Sequence, residues 1–168
     1  MAGALIVTAE LGPADLAWLD RLRRTYYPAE RNQLPAHLTM FHALPPSAEG
    51  ELRARLSHLA DSATPKATIA GLMDLGGGVA FRVVSPELDH IRDELSHDLQ
   101  GLLGSQDAGG WRPHVTVQNK VQPKAARALL ADLERGFRPR PLAISGLGLH
   151  RYLDGPWEEL TIYPFRGR

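Results

Sequence analysis

The sequence predicts one domain of mixed helices and strands built as two similar lobes, and three observations carry that expectation. The tetrapeptide His37-Leu38-Thr39-Met40 returns as His114-Val115-Thr116-Val117, 77 positions later (114 − 37). The order strand, helix, motif strand, helix, strand occurs twice. An echo accompanies it, Ile69-Ala70-Gly71-Leu72 against Ile144-Ser145-Gly146-Leu147, 75 positions apart (144 − 69). Two copies of so long a unit do not make a solenoid. They suit two lobes, roughly 1–75 and 79–168 with possible exchange of strands, related by an approximate two-fold axis that brings the motif strands side by side.

Taken in order, Ala4 to Thr8 reads as a buried strand, and Gly12-Pro13 with Asp15 opens a helix with Leu16, Leu19 and Leu22 at helical spacing. A polar loop, Pro28 to Gln33, leads to the first motif strand, Ala36 to Leu44, which stops at Pro45-Pro46. Ser47 is expected to cap a second helix with Leu52, Leu56 and Leu59 on one face. Lys66 to Leu75 reads as a strand ended by Gly76-Gly77-Gly78, a turn or hinge. The order then restarts: strand Val79 to Val84, helix Pro86 to Leu103, flexible loop Gly104 to Gly110, motif strand Pro113 to Lys120 and a helix from Pro123 to Gly136. Strands Pro141 to Leu149 and Trp157 to Tyr163 close the chain, the last after an Asp154-Gly155-Pro156 turn.

Bulk properties exclude several function classes. The 168 residues, 43% of them hydrophobic, suffice for one real core. Nineteen basic and nineteen acidic residues give zero net charge, so no global field advertises nucleic acid or membrane, and an anion site has to be local. Without cysteine there is no disulfide, thiolate nucleophile or cysteine-ligated zinc. The amino-terminal apolar run is too short for a signal peptide and no later run could span a bilayer, so the expectation is a cytoplasmic protein with no membrane association and no obligate protein partner.

The recurring motif then becomes the site. On a strand His37 and Thr39 share one face while Leu38 and Met40 turn inward, and His114 with Thr116 repeats this. Burying four unpaired polar groups would be costly, which argues for a shared cleft rather than packing. Arg31 to Ala48 and Ala108 to Ala131 contain no Asp or Glu, so neither motif brings the carboxylates that Mg²⁺ or Mn²⁺ favours. A zinc site from His37, His42 and His114 would need a bulge, because an odd separation of five puts His37 and His42 on opposite faces. No Gly-x-Ser-x-Gly is present. Two imidazoles suit proton removal on one side of a substrate and delivery on the other, and hydroxyls with Arg112, Lys120 or Arg31 suit an oxygen-rich anion. That combination describes phosphoester chemistry without metal or other cofactor.

These residues, with Arg112-Pro113-His114-Val115-Thr116-Val117 leading the second copy, resemble the 2H phosphoesterase superfamily, in particular its 2′-5′ RNA ligase and RNA 2′,3′-cyclic phosphodiesterase branch. The resemblance covers nearly the whole chain. It implies an α+β bilobal fold, two sheets flanked by helices, with the motif strands lining a central cleft. It implies opening of a 2′,3′-cyclic phosphate on a nucleotide or RNA end, or reversible formation of a 2′-5′ bond. His37 and His114 become the acid/base pair, and Thr39 and Thr116 the phosphate-binding hydroxyls. No basic cluster marks a polynucleotide track, which makes a small nucleotide as credible a partner as RNA. Phe41, by its even separation from His37, is the aromatic expected to stack on a base, with Tyr152 a further substrate-binding candidate at the rim. His42 is expected in a packing or supporting role, Trp157 in the core or closing the lobes, and His58, His90 and His97 on the surface. The alternative function is a non-catalytic module that holds a nucleotide or RNA end in the same cleft.

Overall fold

The computed structural model describes residues 3–167. Its elements run β1 (Leu5–Leu11), α1 (Pro13–Tyr26), β2 (Leu38–Leu44), α2 (Glu49–Leu59), β3 (Ala67–Asp74), β4 (Val79–Val84), α3 (Pro86–Asp98), α4 (Ser105–Ala108), β5 (His114–Gln118), α5 (Pro123–Glu134), β6 (Arg140–Leu142), β7 (Ile144–Tyr152) and β8 (Trp157–Pro164). The fold is α+β, with two four-stranded antiparallel sheets ordered β2-β1-β7-β8 and β5-β4-β3-β6. In each sheet a motif strand is an edge, beside the strand that opens its repeat. The third position is filled across the repeats, β7 pairing with β1 and β3 with β4. The first sheet is therefore closed by both ends of the chain, and Gly76 to Gly78 turns a hairpin within the second. Among the described residues no helix is long and apolar enough to cross a membrane.

Local chemistry sets the boundaries. Proline stands in the first turn of α1, α3 and α5, where its missing N–H is no loss. Ser85 Oγ caps α3 by accepting from Leu88 N at 3.2 Å and donates to Lys66 O at 2.7 Å. α3 stops at Asp98, short of the expected Leu103, because Gly101 turns the chain into the left-handed region with φ +84°. Ser47 does not cap α2; Pro46–Ala48 forms a 3₁₀ turn and α2 starts at Glu49 without a side-chain cap. The strand expected over Pro141 to Leu149 is two strands in different sheets. At Ala143 the chain crosses between them, its N–H donating to Asp15 Oδ2 at 2.8 Å and its carbonyl accepting from Gly12 N at 2.8 Å. A Cβ on Gly12 would lie 2.7 Å from that of Ala143, so only glycine permits this close approach.

The core is continuous. Leu5, Val7 and Leu149 from the first sheet and Ile69, Val115 and Val117 from the second belong to one buried cluster with Leu19, Leu52, Leu88 and Leu95 of the helices. α1 packs against β5 of the second sheet. Removing so much aliphatic side chain from water is the main stabilising term, about 1.5–3 kcal/mol for each fully buried Leu or Ile.

The edge strand β2 departs from plain alternation. Thr39 lies opposite Thr8 and Phe41 opposite Val7, so Met40 is an extra residue, and a second irregularity lies between Phe41 and Leu44. Met40 and Phe41 are both fully buried while His42 and Ala43 are exposed. Phe41 is thus core, under the Arg92 guanidinium at 4.3 Å, and does not line the cleft; the bulge removed the parity on which stacking was expected.

Candidate functional site

The two motifs meet. A cleft of about 860 Å³ is lined by His37, Thr39, His114 and Thr116, together with His42, Trp111, Arg112 and Trp157. His37 stands one residue ahead of β2 and His114 begins β5. Each ring is fixed in the same way: Nδ1 of His37 lies 2.8 Å from Pro35 O and Nδ1 of His114 lies 2.7 Å from Arg112 O. A carbonyl only accepts, so both rings carry their proton on Nδ1 and leave Nε2 for the cleft. The prolines ahead of the motifs hold these turns extended.

Side chains from each repeat hold the backbone of the other's motif. Arg23 of α1 donates from Nε to Leu34 O at 3.0 Å and to Asn32 Oδ1 at 2.8 Å, and from Nη1 to Thr116 O at 3.0 Å. Arg92 of α3 reciprocates, donating from Nε to Met40 O at 3.2 Å and from Nη2 to Asp107 O at 2.7 Å. Trp111 Nε1 donates to Thr39 O at 3.0 Å. Both arginines are buried. Each follows a buried leucine by four residues, Leu19 and Leu88, on the inward helix face, and that placement is the signal by which the sequence marks them.

Of the other expected site residues, Arg112 lines the cleft. Lys120 is exposed beyond the end of β5, at φ 63°, where Val121 N bonds Gly77 O, and it does not line the cleft. Tyr152 pairs with Trp157 across the β7–β8 hairpin and is likewise outside the lining, while Arg151 is engaged by Glu49 at 2.7 Å. Arg31 sits exposed in the Ala29–Arg31 3₁₀ turn. His58, His90 and His97 are exposed on helices. Trp157, expected in the core or closing the lobes, forms cleft wall with its ring 4.7 Å from that of His37.

Two further groups escaped sequence reasoning. His150 is buried, its Nε2 2.9 Å from Thr8 Oγ1, and its ring is tilted at 49° to that of Trp157 with centroids 5.5 Å apart. Asp107 lies one residue outside the carboxylate-free window and is buried, where its side chain accepts from His42 N and Ala43 N at 2.8 and 3.0 Å. Burial pushes its carboxyl up, but these bonds and the one from the His42 ring outweigh that and hold it below the ordinary range. His42 is turned into the cleft by the bulge. Even so, among the described residues no three His, Asp or Glu side chains gather as metal ligands.

Burial lowers the His37 pKa to about 4; the bond to Pro35 opposes this, and the charges of Arg23, His150 and His114 reinforce it. The ring is therefore neutral at neutral pH. Burial also lowers His150, against the pull of Glu10 and Glu159. The sign for stability follows: an unfolded chain takes up a proton on His37 near pH 6.5, the folded chain only near pH 4, so acidification through that window favours unfolding. Urea midpoints measured across it should fall more steeply for wild type than for His37→Gln, with a residual slope from His150; equal slopes would refute the assignment.

Similarity to known proteins extends over most of the chain. The family model of the 2′-5′ RNA ligase superfamily matches residues 11–156. The chain belongs to that superfamily. Among solved structures, TT0787 of Thermus thermophilus is similar with a TM-score of 0.66 at 18% identity, covering 98% of this chain and 99% of that one. E. coli LigT complexed with 3′-AMP gives 0.58 at 16% identity, covering 98% and 99%, and LigT complexed with phosphate gives 0.52 at 18%, covering 97% of each. At such identity these matches speak for the superfamily's fold. No curated protein sequence matches the chain.

Proposed function

We propose that this superfamily member is a metal-independent phosphoesterase that opens 2′,3′-cyclic phosphates of nucleotides or RNA ends, or forms 2′-5′ phosphodiester bonds in the reverse direction. The observation that carries this is the matched pair of imidazoles, each tied through Nδ1 to a main-chain carbonyl and each beside a threonine in one cleft. LigT, a structural neighbour, is described in complex with phosphate and with 3′-AMP, the kind of ligand such a cleft would hold.

His37, neutral at working pH, is the base. Its Nε2 takes a proton from water as the water oxygen bonds to phosphorus, while His114 acts as the acid and delivers a proton from Nε2 to the ribose oxygen whose P–O bond breaks. The product is a phosphomonoester, and the two rings exchange protonation states before the next turnover. The Thr39 and Thr116 hydroxyls and Arg112 stabilise the charge on the non-bridging oxygens. Since the proton transfers belong to imidazoles, turnover of adenosine 2′,3′-cyclic monophosphate and of oligonucleotides ending in a cyclic phosphate should persist in EDTA. Absence of phosphomonoester product from both substrates would overturn the hydrolytic reading, and affinity without turnover would mark a binding module.

A further inference from the structure

The motif side chains line only part of the cleft, and His42 lines another part. It lies three residues beyond Thr39, on the far side of the bulge at Met40. The bulge that turns it inward is supported from behind. Asp107 Oδ1 lies 3.2 Å from His42 Nδ1 and accepts from His42 N, Oδ2 accepts from Ala43 N, and Arg92 anchors the Asp107 carbonyl. A carboxylate that is 1% exposed thus holds the backbone of the bulge through two of its hydrogen bonds and orients the ring through the third. The ionised carboxylate accepts only, so the proton sits on Nδ1 and Nε2 is the atom presented to the cleft. In the neutral ring that atom is a hydrogen-bond acceptor. Arg112 is the one arginine or lysine among the described lining residues, and Asp74 and Gln106 add acceptors away from the motifs.

We propose that His42 is a positioning residue whose Nε2 accepts a hydrogen bond from a hydroxyl of the substrate's sugar, next to the phosphate held by the two motifs. This rests on the phosphoester reading of the cleft. Asp107 serves it by selecting the tautomer and aiming the ring, a pattern in which the partner of one ring nitrogen decides what the other offers. No proton is moved by His42, so its loss should weaken binding more than it slows chemistry.

Calorimetry on the full chain with adenosine 3′-monophosphate and with inorganic phosphate tests this. His42→Phe, which keeps the ring shape without the acceptor, should weaken nucleotide affinity about tenfold, the worth of one hydrogen bond, and change phosphate affinity less than about twofold. His42→Gln, whose amide oxygen can stand near the Nε2 position, should recover most of the loss. In turnover, His42→Phe should raise KM with kcat within about threefold of wild type. Among analogues lacking one sugar hydroxyl at a time, one should bind wild type and His42→Phe alike. Unchanged nucleotide affinity in His42→Phe, a parallel fall in phosphate affinity, or equal sensitivity of every analogue would each overturn the assignment. A wild-type protein that bound neither probe would defeat the phosphoester reading itself, whereas wild-type binding with a silent His42→Phe defeats only the role of His42.

Discussion

Alanine at His37 or at His114 is expected to lower kcat for opening of a 2′,3′-cyclic nucleotide by about 10²- to 10⁴-fold, the range that a positioned acid or base contributes. KM should move much less, because the phosphate keeps Thr39, Thr116 and Arg112. The double variant should lie close to the weaker single one rather than at the product of the two losses, since base and acid act in one transition state and removing either disables both. Both rings are bonded only at Nδ1 to a carbonyl of their own turn, so the folded state should survive and melting curves should stay near wild type. Turnover that persists in both single variants would remove the imidazoles from the mechanism.

The largest effect on stability is expected at Arg92 rather than in the cleft. Its guanidinium donates to Met40 O, Asp107 O and Ser96 Oγ, lies over Phe41 and is 6% exposed. Arg92→Ala strands two buried carbonyls, removes a positive charge that interacts with the Asp107 carboxylate and opens a void over an aromatic ring, a combination worth about 3–5 kcal/mol. Arg92→Lys should recover little, because an ammonium cannot span three acceptors with the geometry of a planar fork. Arg55→Ala is the comparison: that side chain is 47% exposed beside Glu51 and Asp98, and its loss should cost under about 1 kcal/mol. Urea denaturation of the three variants decides this, and an Arg92→Ala loss no larger than that of Arg55→Ala would refute the ranking.

What the sequence made legible was what depends on short spacings. His37 with Thr39 and His114 with Thr116 could be paired because strand parity acts over two residues, and the repeated element order exposed the α+β class. Parity failed at the first bulge. Met40 and Phe41 are consecutive large apolar residues, the trace such a bulge leaves in a sequence, and reading through them placed Phe41 in the cleft and turned His42 out of it. Asp107 and His150 were invisible for a different reason. A polar residue in a loop or a strand reads as solvated unless the partner that satisfies it is known, and those partners lie between 64 and 142 positions away in sequence. Trp157 became cleft wall through the pairing of the two chain ends, which no local pattern announces. The crossing of the chain between sheets at Ala143 was hidden too, because Pro141 to Leu149 has the same apolar character on both sides of it.

The reciprocal arginines have a mechanical meaning. Arg23 leaves the first repeat to grip Thr116 O, and Arg92 leaves the second to grip Met40 O, so any motion that drew the two edge strands apart would break both grips and the Trp111–Thr39 bond together. The aperture of the cleft is thereby coupled to the joint between the two sheets, and the bonds that hold the sheets together also hold the spacing of the motifs.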